Sequence, residues 1–162
     1  MISNHSTTDY QAVIASPVPN VACLGIRVQN GQLTELDFLA QAIPAYVETS
    51  AYRSVAAIEN YFNKRQDDLL LDVCPVGTAF QKRVWEALRK IPFGQVRRYG
   101  ELATELGSSA RAVAGACRAN PLPLLIPCHR VVSANGPGGY MGKTSGSALA
   151  VKLWLLQHEG NV

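Results

Sequence analysis

The sequence predicts two domains: an α/β N-terminal domain made of a small sheet plus a helix, and a mostly helical C-terminal domain with a winged-helix-like helix-turn-helix. Three observations predict this class. Strand-like apolar runs flank an Asn-Gly turn near residue 30, helical spacing of apolar residues begins near residue 50, and two short helices joined by a Gly-containing turn follow near residue 100. The chain has 162 residues, 48% of them apolar, which is enough to bury one core or two small ones.

Composition and charge exclude several classes of protein. With 17% charged residues and 13 glycines, the chain is neither disordered nor fibrous. Its apolar stretches fall short of the ~20 residues of a membrane span, and no signal-peptide pattern opens the chain, so we expect a cytoplasmic protein without membrane contact. Residues 1–79 carry four Lys or Arg against eight Asp or Glu, whereas residues 80–162 carry eleven against four. The basic second half indicates either a polyanionic partner or a solvated basic face.

A β-hairpin is the first predicted element of the N-terminal domain. Residues 21–28 and 33–39 have strand-like composition, and Asn30-Gly31 between them is a strong signal for a tight hairpin turn. The preceding residues 1–16 are polar, and we expect them to be loosely ordered.

A helix and a boundary complete this domain. Val55, Ile58 and Phe62 have helical spacing, which predicts an amphipathic helix over residues 50–64. Residues 69–73 form a predicted strand or extended segment. The Cys74-Pro-Val-Gly77 sequence interrupts the pattern, so we assign residues 1–76 and 77–162 to the two domains.

The C-terminal domain is predicted to contain four helices. Thr78 and Gln81 have the spacing of a capping box that begins the first helix, which ends at Pro92. Residues 99–106 and 110–120 form the helix-turn-helix, joined by Gly107-Ser-Ser. The last helix ends at Glu159, with a predicted inner face that consists of Leu149, Leu153 and Leu156.

The second helix of this pair, residues 110–120, is rich in small residues. Ala or Gly fills six of its eleven positions, which permits close approach to a neighbouring helix or to a nucleic-acid groove. Arg111 and Arg118 lie seven residues apart and therefore on one face, which is unfavourable for a fully buried helix. The combination favours a helix that contacts DNA with two cations, and tight helix packing is the alternative.

Cys128, His129 and Arg130 follow an apolar run and bring a thiol, a base and a cation together. A thiolate is the nucleophilic form of cysteine, and nearby cationic or imidazole groups lower its pKa. Neighbours in sequence do not normally face each other, so contact between Cys128 and His129 requires a turn or a bridging water. His129 needs an orienting carboxylate, for which Glu159 is the candidate.

Several motifs resemble the O6-alkylguanine-DNA alkyltransferases, also called methylated-DNA–protein-cysteine methyltransferases. The match covers residues 77–160 and is highly specific, whereas residues 1–76 match only by size and strand content. The matching residues are Gly77-Thr78-Ala-Phe80-Gln81-Lys-Arg-Val84-Trp85, Ile91-Pro92-Phe-Gly94, Tyr99, Arg111-Ala-Val, Asn120-Pro121, Pro127-Cys128-His129-Arg130-Val131, Gly139-Tyr140 and Leu155-Leu156-Gln-His158-Glu159-Gly160.

The resemblance implies a role in catalysis for five residues. Cys128 would be the alkyl acceptor, deprotonated through a water by His129 and Glu159. Asn120 would brace the helix-turn-helix against the active-site loop. Tyr99 would crowd the phosphate beside the flipped nucleotide and donate a proton toward guanine.

The resemblance also implies the binding residues. Val131, Tyr140 and the backbone around Met141 would line the base pocket. Arg111 would enter the stack in place of the flipped base, and the helix-turn-helix would enter the minor groove. The further expected DNA contacts are Arg98, Tyr99, Ala112, Cys117 and Arg118.

This family resemblance predicts a suicide reaction. An alkyl group on guanine O6 is inaccessible inside a duplex, so the base must be flipped out before the thiolate attacks. The product is a thioether, and each molecule would act once as a monomer on double-stranded DNA, without a cofactor. A structural zinc is not expected, because Cys23 and Cys74 lack a well-placed pair of histidines.

Three features depart from the family pattern. The segment between Tyr140 and Lys152 is about five residues longer than usual, and the Gly107-Ser-Ser turn is about two residues shorter than common forms. Arg97-Arg98 stands where a small hydroxyl residue is common.

Three other functions are alternatives to alkyl transfer. The alternatives are a non-catalytic alkyl-lesion binder, which would lack Cys128, a winged-helix regulator without a reactive thiol, and a Cys-His hydrolase, for which no oxyanion-hole motif is evident.

Overall fold

The computed structural model describes residues 9–65 and 67–161, and it begins with a four-stranded antiparallel sheet. The strands are β1 (Ala12–Ala15), β2 (Cys23–Gln29), β3 (Gln32–Leu39) and β4 (Tyr46–Val47), in the spatial order β3-β2-β1-β4. The prediction of loose order is wrong for residues 9–16. Ala12, Val13 and Ile14 are buried in β1, because they form the central part of a sheet that pairs with β2 and β4. Residues 1–8 lie outside the described ranges.

The hairpin predicted around Asn30-Gly31 is confirmed. Both residues have positive φ angles, 52° and 78°, as a tight turn compatible with strand twist requires. Residues 69–73 are extended and make a single parallel bridge, Val73 with Leu33, along the edge of β3.

Five helices accompany the sheet among the described residues: α1 (Tyr52–Phe62), α2 (Ala79–Arg89), α3 (Tyr99–Leu106), α4 (Ala110–Arg118) and α5 (Ser147–His158). The capping box at Thr78 and Gln81 forms as predicted. Among these helices, none combines the length and apolarity that a membrane crossing requires.

Helices α3 and α4 occupy the segments predicted for the helix-turn-helix. Gly107, with φ 62°, ends α3 in the left-handed conformation, and Ser109 begins α4 by accepting a hydrogen bond from the Ala112 amide. Helix α4 ends at Arg118, two residues before the predicted end. Pro121 cannot continue the helix, and the Asn120 side chain bonds instead to the following loop.

Two short parallel strands, β5 (Arg97–Arg98) and β6 (Val131–Val132), were not predicted. Each has only two residues, too few to produce a periodic pattern in the sequence. Their pairing places the residues after Cys128 beside the start of α3, which begins at Tyr99. This small ladder therefore connects the segment that follows Cys128 with the start of α3.

The predicted inner face of α5 is wrong for one residue. Leu153 is 41% exposed, whereas the buried positions are Val151, Lys152, Leu155 and Leu156. The helix is rotated relative to the prediction because the Lys152 side chain extends into the interior and binds two backbone carbonyls there.

A continuous hydrophobic cluster unites elements from both predicted domains. It includes Leu36 of β3, Ile58 of α1, Trp85 of α2 and Ile126 of the loop before Cys128. The amide of Leu36 also donates to the carbonyl of Pro121, at 3.0 Å. The sheet and α1 therefore pack directly against the segment that carries Cys128.

Candidate active site and DNA-binding surface

The thiol of Cys128 lies at the start of a 3₁₀ turn that spans Cys128–Arg130. All three side chains of this turn are buried, and Cys128 is only 5% exposed. Asn120 holds the preceding loop closed. Its amide nitrogen donates to the Ile126 carbonyl at 2.8 Å and to Cys128 Sγ at 3.3 Å, and its oxygen accepts from the Leu122 amide. The predicted bracing contact of Asn120 therefore extends to the thiol itself.

The carboxylate of Glu159 is the centre of a buried hydrogen-bond network. Its Oε1 accepts from His129 Nε2 at 2.8 Å, from Arg130 Nη2 at 2.9 Å and from the Tyr61 hydroxyl at 2.7 Å. Its Oε2 accepts from Arg130 Nε at 2.9 Å. Burial opposes the ionisation of Glu159, but the hydrogen bonds from His129 and Arg130 outweigh it and lower its pKa to about 2. Glu159 is therefore a carboxylate anion, which accepts hydrogen bonds and donates none.

This anion determines the tautomer of His129. Because Glu159 cannot donate, His129 Nε2 must carry the proton, which leaves a lone pair on Nδ1. Burial lowers the pKa of His129 despite the opposing effect of Glu159, so the ring is neutral. Nδ1 is buried and has no hydrogen-bond partner among the described residues. The structure thus presents a buried base whose accepting nitrogen is free.

Arg130 is held by partners on three sides. In addition to Glu159, its Nη1 donates to the Ile91 carbonyl at 2.6 Å and to Asp68 at 3.2 Å. Arg130 therefore satisfies a backbone carbonyl as well as two carboxylates. Its ion pair with Glu159 could not be seen in the sequence, because 28 residues of chain separate the two positions.

The sequence interpretation missed Lys152, a fully buried lysine. Its Nζ donates to the Val131 carbonyl at 2.5 Å and to the Gly139 carbonyl at 2.9 Å, and it lies 5.7 Å from the centre of the Tyr99 ring. Burial lowers the pKa of Lys152 to about 8. The signal in the sequence was its position four residues before Leu156 on the same helical face, although a lysine there normally indicates an exposed position.

The electrostatic environment of Cys128 combines opposing effects. Burial raises the pKa of the thiol, while the hydrogen bond from Asn120 and the positive charge of Lys152 lower it. Nearby polar groups, including Tyr140, therefore favour the thiolate in a site whose burial disfavours charge.

A cavity of about 320 Å³ opens above the cysteine. Its lining brings together Cys128, Tyr99, Cys117, Tyr140 and Met141, and the remaining lining residues are Ala114, Arg118, Ser133, Gly138, Gly139, Gly142, Lys143 and Thr144. This volume is of the order that small-molecule sites have.

The predicted pocket residues differ in their placement. Tyr140 is 3% exposed, and Met141 adopts a positive φ of 50° at the start of the lengthened segment. Val131 is fully buried and is absent from the cavity lining among the described residues, although its carbonyl binds Lys152. The Tyr99 hydroxyl donates to the Gly139 carbonyl at 3.4 Å, and burial raises the pKa of this hydroxyl.

The predicted DNA contacts of α4 lie mostly at the surface. Arg111 and Arg118 are exposed, Ala112 is half-buried, and Cys117 is buried in the cavity wall. Arg98, at the start of α3, is also exposed. Arg118 packs against Gly142, where a Cβ would come within 2.8 Å of its Nε. The lengthened segment after Tyr140 is therefore in contact with the exposed face of α4.

Comparison with known proteins identifies relatives of the whole chain. The family model described as "6-O-methylguanine DNA methyltransferase, DNA binding domain" matches residues 79–161. The methylated-DNA–protein-cysteine methyltransferase of Methanosarcina acetivorans is 34% identical over an alignment of 162 positions, which covers 94% of this chain and 99% of that protein. The Salmonella typhimurium protein of the same name is 50% identical over 93 residues, which cover 56% of this chain and 52% of that protein.

Solved structures agree with the sequence comparisons. The crystal structure of Mycobacterium tuberculosis OGT in complex with DNA has a TM-score of 0.73 and 33% identity, and the similarity covers 91% of this chain and 90% of that chain. The crystal structure of Mycobacterium tuberculosis O6-methylguanine methyltransferase has a TM-score of 0.74 and 32% identity over the same shares. A chain matched over most of its length in both sequence and structure shares its descent with these proteins, and it belongs to the O6-methylguanine-DNA methyltransferase family.

Proposed function

We propose that this protein repairs DNA by transferring the alkyl group of O6-alkylguanine to its own Cys128. Its family relatives are methylated-DNA–protein-cysteine methyltransferases. The observation that carries the proposal is the position of Cys128 Sγ in a cavity wall, where it accepts a hydrogen bond from Asn120 beside a neutral histidine oriented by Glu159. These are the parts that an activated thiol requires.

In the proposed activation step, His129 removes the proton of the Cys128 thiol. The free lone pair on Nδ1 accepts this proton through a bridging water, and the resulting imidazolium is stabilised by the Glu159 anion on its other side. Lys152 and Asn120 stabilise the thiolate that remains. The proton therefore moves from sulfur to His129, and the negative charge stays on Cys128.

In the proposed transfer step, the thiolate sulfur forms a bond to the alkyl carbon while the bond from that carbon to guanine O6 breaks. The bonding electrons leave with the guanine, which takes a proton from the Tyr99 hydroxyl. The raised pKa of Tyr99 keeps this hydroxyl protonated until that moment. The product is a thioether on Cys128, so each molecule acts once.

The proposed DNA complex uses α3 and α4 as a helix-turn-helix within a C-terminal domain of residues 77–162. The exposed small residues of α4 allow its backbone to approach the minor groove, and Arg111 fills the space of the flipped base. Arg98 and Arg118 contact phosphates, and one monomer binds one lesion. The target base then occupies the cavity between Tyr99, Tyr140 and Met141.

The test is the intact mass of the protein after incubation with a duplex that contains one O6-methylguanine. We expect a gain of one methyl group in place of one hydrogen, and peptide mapping should locate it at Cys128. A stoichiometric gain on any other residue, or no gain at all, would overturn the proposal. An unmethylated duplex of the same sequence is the control.

A further inference from the structure

We propose that Tyr61, in the N-terminal part of the chain, is a positioning residue for alkyl transfer: its hydroxyl fixes the Glu159 carboxylate that orients His129. This inference rests on the proposed function of Cys128. Tyr61 belongs to α1, whereas Cys128, His129 and Glu159 all lie after residue 120. The proposal therefore gives the N-terminal part of the chain a direct role in the reaction.

The side chain of Tyr61 is held in one position by its surroundings. It is 1% exposed, and its ring packs edge-on against Phe62 and Phe93, with centroid distances of 5.3 and 6.0 Å. His158 lies at 5.1 Å from the ring, and its Nε2 is 2.9 Å from the Tyr61 carbonyl oxygen. A ring packed on several sides presents its hydroxyl at a fixed point, which is what a positioning contact requires.

The hydroxyl of Tyr61 acts as a donor to Glu159. It lies 2.7 Å from Oε1, and both side chains are buried. Burial, together with the negative charge of Glu159, raises the pKa of Tyr61, so the phenol stays protonated. Because Glu159 is ionised and only accepts, the direction of this hydrogen bond is fixed.

The hydrogen bond from Tyr61 affects His129 directly, because both side chains bind the same oxygen of Glu159. Oε1 accepts from Tyr61, His129 and Arg130, whereas Oε2 accepts only from Arg130 among the described residues. Each donor to Oε1 takes up part of its negative charge. Removal of the Tyr61 hydroxyl leaves more negative charge on Glu159 Oε1, the atom that faces His129 Nε2. It also removes one of the hydrogen bonds that fix the orientation of the carboxylate. The pKa of His129 then rises, and its orientation is less well defined.

Substitution of Tyr61 removes none of the other charged and titratable groups around His129. Arg130 and Lys152 lower the pKa of His129, and Glu159 raises it. Asp68 lies on the far side of Arg130, at 3.2 Å from Nη1. The Cys128 thiol precedes His129 in the turn, and the Tyr140 hydroxyl, whose pKa burial raises, interacts with Cys128 and Glu159. A shift in the His129 titration after substitution of Tyr61 therefore reports the Tyr61–Glu159 contact.

The experiment compares Tyr61→Phe with Tyr10→Phe. Tyr10 is a matched control because it is 2% exposed and donates to a carboxylate, Asp37, at 2.6 Å, but it lies in the separate small cluster with Val13, Cys23 and Leu39. The rate of transfer from the free base O6-benzylguanine is measured as a function of pH, alongside the melting temperature. This substrate needs no base flipping, so the rate reports the chemistry at Cys128.

We expect Tyr61→Phe to slow transfer at neutral pH on the order of tenfold, as loss of a hydrogen bond to a charged group implies. The acidic limb of its rate profile should move to higher pH, because the protonated form of His129 cannot act as a base. Tyr10→Phe should lower the melting temperature without changing the rate or the profile. A further variant, Tyr61→3-fluorotyrosine, preserves the packing and makes the hydroxyl a stronger donor, so its acidic limb should move to lower pH.

The outcomes separate this inference from the proposed function. If the wild-type protein gains no alkyl group, the proposed function fails. If the wild type transfers the group but Tyr61→Phe matches Tyr10→Phe in rate and profile within twofold, the positioning role is overturned and Tyr61 is only structural. If Tyr61→Phe does not fold, an unshifted profile in the 3-fluorotyrosine variant overturns the inference equally.

Discussion

The network around Glu159 and the exposed face of α4 use cationic residues in opposite ways. Arg130 and Lys152 are buried, and each binds carbonyl or carboxylate oxygens within the fold. Arg111 and Arg118 project from a helix of small residues into solvent. A buried cation must be compensated by the protein itself, whereas an exposed cation is available to an external anion.

The two parts of the proposed reaction therefore lie in different regions of the molecule. The interior cations favour the ionised forms of Glu159 and Cys128, and they would therefore influence the reactivity of the proposed nucleophile. The exterior cations would attract the DNA phosphates, and the Arg111 side chain would fill the space left by a flipped base. Substitutions of interior residues should therefore slow transfer from the free base, whereas substitutions of exterior residues should slow transfer from the duplex.

The largest expected effect is the loss of transfer in Cys128→Ser. A serine hydroxyl is far less acidic than a thiol and is a poor nucleophile without a strong base, so alkyl transfer to both duplex and free base should fall to background. Duplex affinity should stay near the wild-type value, because the α4 surface does not depend on the thiol. A gel-shift titration and intact mass measure the two properties. Persistent transfer in this variant would refute the nucleophile assignment.

Removal of the base should have the next largest effect. His129→Ala and Glu159→Gln should slow transfer by roughly 10²–10⁴-fold, as is typical of a positioned general base, on both substrates alike. Single-turnover rates with O6-benzylguanine measure this. Rates within twofold of wild type would remove these residues from the mechanism.

The effect of Glu159→Gln on the melting temperature should also depend on pH. The pKa of Glu159 is about 2 in the folded protein against an ordinary value of 4.5. A carboxyl group whose pKa is lower in the folded state than in the unfolded state stabilises the fold at pH values above its unfolded-state pKa. This stabilisation is lost as the pH falls from about 4.5 to about 2. The melting temperature of Glu159→Gln should therefore be lower than that of wild type at neutral pH, and the difference should narrow across this range. A constant difference would show that Glu159 is not ionised in the fold.

Arg111→Ala should separate the two regions most clearly. If Arg111 fills the space of the flipped base, transfer to a duplex falls steeply, while transfer to O6-benzylguanine is nearly unchanged. The ratio of the two rates is the measurement, and Arg53→Ala on the exposed surface of α1 is the control. Equal slowing on both substrates would instead assign Arg111 to support of the pocket, and no change on either would place α4 away from the DNA.

The smallest expected effect belongs to Arg118→Ala. Loss of one phosphate contact should weaken duplex affinity and reduce the slope of log K against log salt by about one contact. Binding titrations at several salt concentrations measure this slope. An unchanged slope would show that Arg118 serves only to support Gly142 and the segment after Tyr140.

Local patterns in the sequence predicted most of the regular structure. The Asn30-Gly31 turn, the capping box at Thr78 and the bounds of α3 depend on a few neighbouring residues, so they could be found without the fold. The elements that were missed are β1, β4 and the β5–β6 ladder. Their strands have four and two residues, and they exist because distant segments pair with them.

The residues of the candidate site also fall into two groups, those that the sequence indicated and those found only in the structure. Cys128, His129 and Arg130 are adjacent in the chain, and the family resemblance pointed to Asn120, Tyr99 and Glu159. Neither pattern nor resemblance indicated Tyr61 or the inward direction of Lys152. Tyrosine in an amphipathic helix and lysine in a surface helix are ordinary residues, and their polar contacts become visible only when the partners are in place.

Residue identity and short-range spacing were enough to indicate the family, the candidate nucleophile Cys128 and the helix pair whose second member carries Arg111 and Arg118. The tertiary structure alone decided the charge and geometry of the reaction centre. Burial raises the cost of every unpaired charge, and the partners that offset this cost for Glu159 come from α1 and from the turn after Cys128. Such partners are separated by up to 98 positions in the chain, and only folding brings them within hydrogen-bond distance.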